Sequence, residues 1–342
     1  MKTLNAILFF LFISFVVTAQ KDEKPYMVKT FTANAIKNLK MNTSGGSLSV
    51  VGITDSQARI EVYVRSNIGN DEINKEELEE RLKNYELSVS QDGNTIVAFA
   101  KNKNNNWGKK SLSIAFKAFV PENITTDLNT SGGSISVKGI TGNAIGRTSG
   151  GSISVMKCKN KIALKTSGGS ISADNCSGDI DLSTSGGSIS AADLDGTIDL
   201  RTSGGSINLD NLKGNTKAIT SGGSIKATEL RGESMVKTSG GSIALREIYG
   251  TLDAATSAGS MDVEIMELGK SLNLSVSSGN MNVKMPLNKG VNLDCSAQKV
   301  SMGTLTNFDG EVDKSFVKGK LNGGGIPVNM KVNTGNLTVK GL

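Results

Sequence analysis

The sequence predicts an all-β protein: a parallel β-solenoid of 18-residue coils, with a small α+β insert capping its N-terminal end. Three observations carry this expectation. The word Thr-Ser-Gly-Gly-Ser-Ile starts at Thr130, Thr148, Thr166, Thr184, Thr202, Thr220 and Thr238, and Thr-Ser-Ala-Gly-Ser-Met follows at Thr256, every step being 18 residues. A fixed period of this kind marks an array whose units bury their apolar sides only by stacking. Within one unit, Ser170-Ile171-Ser172-Ala173 and Asp179-Ile180-Asp181-Leu182 alternate polar with apolar residues, the period of a half-buried strand. Eighteen residues are also too few for a helix pair, and 40 glycines in 342 residues oppose helix. Each unit therefore reads as strand, turn, strand, turn.

Residues 1–19 read as an export signal. Met1-Lys2 supplies the positive start, Ala6 to Val17 an apolar run, and Val17-Thr18-Ala19 a small-residue cleavage site before Gln20. The run is too short to span a bilayer comfortably, and no later segment reads as transmembrane. The chain is expected in the periplasm, at the cell surface or secreted. Without Lys2, 37 Lys and Arg stand against 32 Asp and Glu, an excess too mild to argue for nucleic acid. The chain has no histidine, which excludes Ser-His-Asp and Cys-His catalysis and His-ligated metal. No cofactor is expected.

Residues 20–128 are expected to form a first coil and a capping insert. An isolated copy of the repeat word begins at Thr43, 87 residues before Thr130. Between the two lie a strand from Ala58 to Val64 and a short helix opened by Asn74 and Glu77, with Leu78, Leu82 and Tyr85 on one face. A hairpin around Asp92-Gly93, a polar loop over 101–110 carrying Trp107, and a strand from Ser111 to Val120 complete it. The bare end of a solenoid is an unpaired sheet edge, and such an insert would cover it.

Residues 129–302 form the regular repeat. Ile135, Ile153, Ile171, Ile189, Ile207, Ile225, Ile243 and Met261 make one inward column, and Ile140, Cys158, Cys176, Leu194, Leu212, Leu230, Ile248 and Met266 another. The second strand contributes pairs such as Ile180/Leu182, and weakens at Thr216/Ala218 and Ser234/Val236, where the core should thin. The Gly178 column and the Gly-Gly pairs are assigned to corners, for positive φ and close backbone approach. Residues 303–342 lose the period and read as closing coils, with Gly323-Gly324-Gly325 as a turn.

Three groups of residues bear on chemistry. Cys158 and Cys176 occupy the same inward column of adjacent coils, about 5 Å apart at Cα, so that either a disulfide or two buried thiols fits. Asp174, Asp179, Asp181, Asp193, Asp195, Asp199 and Asp210 make the middle coils acidic; Asp181 and Asp199 share an outward column, and the group reads as solvated outer-face charges, as a cation site, or as the carboxylate pair of a glycan-cleaving enzyme. Ser134/Ser136, Ser152/Ser154, Ser170/Ser172 and Ser188/Ser190 flank the isoleucine column as a regular outward strip of hydroxyls, a candidate binding strip.

Phe116-Lys117-Ala118-Phe119-Val120-Pro121, then Leu128-Asn129-Thr130-Ser131-Gly132-Gly133-Ser134-Ile135-Ser136-Val137 and the copies after it, resemble the putative-adhesin family of exported bacterial repeat domains, a domain of unknown function, and its head-GIN relatives. The resemblance implies a β-solenoid at the cell envelope and transfers no functional residue. Together with the composition it leads to the expectation of a non-enzymatic adhesin or envelope binding scaffold whose ligand is a glycan or a surface protein. A polysaccharide-processing enzyme, and an envelope structural or regulatory protein that binds another protein, are the alternatives.

Overall fold

The computed structural model describes residues 24–67, 74–103 and 111–342; the expected signal and residues 104–110 with Trp107 lie outside the described residues. Parallel strands stack coil on coil with an 18-residue register. Ile171 pairs with Ile153 on one side and Ile189 on the other, and Leu182 pairs with Leu164 and Leu200. Adjacent coils are therefore about 4.8 Å apart along the axis. The aliphatic columns of the regular coils face inward: Ile189, Ala191, Leu194, Ile198 and Leu200 of one coil are at most 1% exposed. At the thin places, Thr216 and Ser234 are buried where other coils carry Ile or Leu.

The two strands expected per coil are continuous from Ile171 to Ser278. Ile189–Thr202 is one 14-residue strand that bends at Asp193 (φ 52°) and again at Gly196 (φ 130°). Asn175 and Asn211 hold the Asp193 position in neighbouring coils, the residue types that best tolerate the left-handed region. A Cβ on Gly196 would also lie 2.2 Å from the Gly178 carbonyl oxygen. The expectation of positive φ fails at the Gly-Gly pairs: neither Gly186 nor Gly187 adopts it. Close approach alone demands the second of the two, since a Cβ on Gly187 would lie 2.1 Å from the Gly169 carbonyl oxygen.

The third inward column ends differently from expectation. The coil from Thr256 to Val276 holds 20 residues, and a bulge pairs Ile248 with Ile265. Ile265 takes the core position, while Met266 turns outward at 39% exposure.

Both ends depart from sequence order. The coil of Asn38–Thr43 and Leu48–Ile53 lies directly on Thr125–Thr130 and Ile135–Lys138, with Thr43 in register with Thr130 as if the intervening chain were absent. Thr95–Asn102 and Leu112–Pro121 stack outside it as an additional coil. Antiparallel strands then end the stack: Gln57–Ser66 on Leu112–Pro121, Met27–Thr32 on Gln57–Ser66, and Tyr85–Asp92 on Thr95–Asn102. The helix Lys75–Leu82 starts at Asn74, whose side chain accepts the Glu77 N–H at 2.8 Å. At the other end the last strands, Ile326–Thr334 and Asn336–Gly341, slide between the 261–285 coil and the earlier strands Val291–Ser296 and Lys299–Met302. A hairpin of Phe308–Val312 and Phe316–Leu321 closes that edge antiparallel. Antiparallel strands thus cover both open ends of a parallel stack.

Candidate functional site

The serine strip lies on the long face formed by the isoleucine strands. Alternation fixes its geometry: inward Ile171 places Ser170 and Ser172 outward, about 7 Å apart across the face, and stacking repeats the pair about every 4.8 Å. The strip is a shallow trough rather than a flat sheet, with a volume of about 370 Å³, running from Ser134/Ser136 to Ser188/Ser190 and ending at Asn208. In-register pairing extends it one coil further toward the N-terminus, where Ser49 adjoins Ser136. Beyond Asn208 the column continues as Lys226, Ala244 and Asp262, and the face becomes charged. A second trough of about 280 Å³ there is lined by Arg246, Asp262, Glu264, Lys284 and Lys340.

The two serine columns differ in a way the sequence does not announce. The backbone N–H of Ser188 donates to the Ser170 hydroxyl oxygen at 3.2 Å, and that of Ser206 to Ser188 Oγ at 3.1 Å, a ladder continuing through Ser224, Ser242 and Ser260. The hydroxyl oxygens of Ser170, Ser188, Ser206, Ser224 and Ser242 thus each accept from the next coil, which leaves the O–H free to donate. Ser154, Ser172 and Ser190 of the other column are exposed, as are Ser134, Ser152 and Ser170 of the first.

The first residue of the repeat word is the polar position that reasoning from alternation missed. Thr148, Thr166, Thr184, Thr202 and their equivalents are buried. Thr202 Oγ1 donates to the Gly187 carbonyl at 2.7 Å and accepts the Gly205 N–H at 3.3 Å, and the same pair of bonds recurs in each regular coil. The available signal was the place of the Thr column in the alternation, two residues beyond inward positions such as Leu164, Leu182 and Leu200.

Cys158 and Cys176 stack as the register requires and are free thiols. The Cys158 N–H donates to Cys176 Sγ at 3.4 Å. The adjacent Cys176 thiol draws Cys158 down to about 7, and the same pairing, with burial, pushes Cys176 up. Burial, with the Asp294 charge beside it, pushes the third thiol, Cys295, up to about 12. Because the chain has no histidine, few other groups titrate near neutrality. Absorbance at 240 nm of the reduced protein is expected to show one thiolate step near pH 7, which moves to higher pH in Cys176→Ala. A step that stays in place in Cys176→Ala would refute the coupling.

Asp181 and Asp199 are neighbours in register on the other long face. They line neither trough, and Asp199 is ion-paired with Arg201 on its own strand.

A family model described as Toastrack DUF4097 matches residues 86–340. The chain belongs to this family. The Toastrack match takes in the serine trough and every regular coil. Among solved structures, a putative cell adhesion protein from Clostridium sporogenes ATCC 15579 is 13% identical with a TM-score of 0.23, covering 93% of this chain and 100% of its own. A putative adhesin from Bacteroides fragilis NCTC 9343 is 13% identical with a TM-score of 0.26, covering 69% of this chain and 96% of its own. A comparison with curated proteins finds no match. Among the described residues, no helix is long and apolar enough to cross a membrane.

Proposed function

We propose that the chain is an exported, non-enzymatic binding scaffold of the cell envelope, an adhesin whose ligand is a glycan or a surface protein. The observation that carries this reading is the serine trough. It offers hydroxyls at the fixed spacing of the stacked coils, and those of Ser170 and Ser188 already accept a backbone N–H from the next coil, which leaves their O–H free to donate. Neutral O–H groups repeated on a rigid scaffold suit a ligand that is itself a polymer of hydroxyls and ether oxygens. Many weak contacts on one rigid face, multiplied by many molecules on a surface, supply the avidity adhesion needs. The enzyme reading has less support, because its carboxylate pair, Asp181 and Asp199, lies outside the troughs and one member is already neutralised by Arg201.

The test is retention of an arrayed set of glycans and matrix proteins by residues 20–342, with soluble products assayed in the same wells. Retained ligand without product is the expected result. The double variant Ser154→Lys/Ser172→Lys is expected to lose roughly tenfold or more in retention, while its stability stays within about 0.5 kcal/mol, since both side chains are exposed. Retention unchanged in that variant would remove the trough from the proposal. Soluble products would favour the enzyme, and silence in every well an envelope protein partner.

A further inference from the structure

We propose that the corner edge of the solenoid is a self-complementary surface, through which two copies of this chain contact one another with their axes antiparallel. The inference goes beyond the trough reading and is independent of what the trough binds.

It begins with the sign of the charge along the axis. From Lys138 to Lys165 the chain carries six basic residues and no acidic one; from Thr166 to Leu212 it carries seven aspartates and the single base Arg201. Half of these charges share one edge, the bend that joins the two long faces. On it, Lys138 stands in the column Lys138–Met156–Asp174–Ala192–Asp210. Lys157, Asn175, Asp193 and Asn211 share the left-handed corner position, at φ 52–53°. Lys159 stands two coils before Asp195, which pairs in register with Ser177. Lys138, Lys157, Lys159, Asp193, Asp195 and Asp210 are all exposed. Among the described residues none of the six has an ion-pair partner within 4.0 Å.

The arrangement has a centre. Lys157 and Asp193 hold the same column position 36 residues apart, as do Lys159 and Asp195, and Lys138 and Asp210 do so 72 residues apart. All three pairs are disposed symmetrically about the coil 166–183. A two-fold axis lying in the contact plane, along the strand direction of that coil, reverses the coil order and preserves the column. It therefore sets each lysine of one copy against its matching aspartate of the other, and the symmetry doubles three pairs to six. A parallel arrangement would instead oppose like charges. Within the columns that run from Lys138, Lys157 and Lys159, the unfavourable meeting in the antiparallel register is Asp174 with its own copy.

The edge is roughly 15 Å by 20 Å, smaller than the interface of a stable dimer in solution. Its charges are exposed and therefore screened by salt. The contact is thus one that operates between surfaces bearing many copies, where avidity compensates for weak single bonds.

The experiment uses beads coated with residues 20–342 at high density. Wild-type beads are expected to cluster at about 10 mM salt and to disperse at about 0.5 M. The variants Lys157→Asp/Lys159→Asp and Asp193→Lys/Asp195→Lys are each expected to lose self-clustering by roughly tenfold, and to cluster again when mixed, because the mixture restores opposite charges at the same columns. The corner exchange is tolerable to the fold, since Lys and Asp already occupy that left-handed position natively at Lys157 and Asp193. Unchanged circular dichroism of each variant confirms folding. Asp174→Asn is expected to strengthen clustering. Wild-type beads that stay dispersed at low salt, or a mixture that fails to recover, would overturn the proposal, and neither outcome bears on ligand retention by the trough.

Discussion

Gly187→Ala is expected to destabilise the solenoid by about 3 kcal/mol or more, whereas Gly186→Ala, one residue away, is expected to lie between neutral and about 1 kcal/mol stabilising. Both substitutions add one methyl group to a glycine that does not need positive φ. They differ in what the methyl meets. At Gly187 it would lie 2.1 Å from the Gly169 carbonyl oxygen and 2.4 Å from the carbonyl carbon. Those are backbone atoms of the preceding coil, so relief requires that coils move apart and that the ladder bonds beside them stretch. At Gly186 nothing is nearer than 3.5 Å, and the chief effect is a less flexible unfolded chain. Because each coil rests only on its neighbours, the damage should be local at first. Hydrogen exchange should show lost protection in the coils around 166–205 before any global change. Equal midpoints of denaturant unfolding for the two variants would refute the close-approach account.

Thr202→Val is expected to cost about 1–3 kcal/mol, the usual penalty for leaving buried polar groups without partners. Valine matches threonine in shape, so the inward column stays filled and packing is not the variable. What disappears is the donor to the Gly187 carbonyl at 2.7 Å and the acceptor for the Gly205 N–H at 3.3 Å, both in a site where Thr202 is 6% exposed. Thr202→Ser keeps the hydroxyl and should recover most of the loss. Thermal or denaturant unfolding of the three proteins side by side measures this. The chain itself supplies an internal comparison: Val276 takes the threonine position in the degenerate 20-residue coil and is fully buried there, where the Gly-Gly pair has given way to Ser278-Gly279. If Thr202→Val unfolds with the wild type, the threonine column contributes by shape alone.

The regular coils were legible because a solenoid turns sequence distance into spatial adjacency. Residues 18 apart become neighbours about 4.8 Å apart, so Ile171, Ile189 and Ile207 could be placed in one column by counting. The serine trough was legible for the same reason, as the outward partner of that column. Its finer chemistry was not. Whether a serine oxygen accepts from the next coil depends on the twist and offset between rungs, which leave no mark in the spelling of Ser170 or Ser172. The threonine column escaped because it follows directly on an alternating stretch and belongs to it, inward like Leu200, while its hydroxyl suggests an outward residue. A polar side chain can point inward when two backbone groups wait there to receive it.

What the sequence by itself determined is therefore the coil: its length, its strands, its aliphatic columns and the positions at which glycine is required, all repeated often enough that no single ambiguous residue matters. Tertiary structure alone decided the order of the coils at both ends. Thr130 Oγ1 donates to the Gly46 carbonyl across 84 residues of sequence, and Ile326–Thr334 sits between Leu272–Val276 and strands that precede it in the chain. An exposed strand edge pairs with any strand of compatible register, and its backbone hydrogen bonds are indifferent to how far along the chain the partner lies. Local pattern therefore specifies each rung, whereas competition for the open edges specifies which rung comes last.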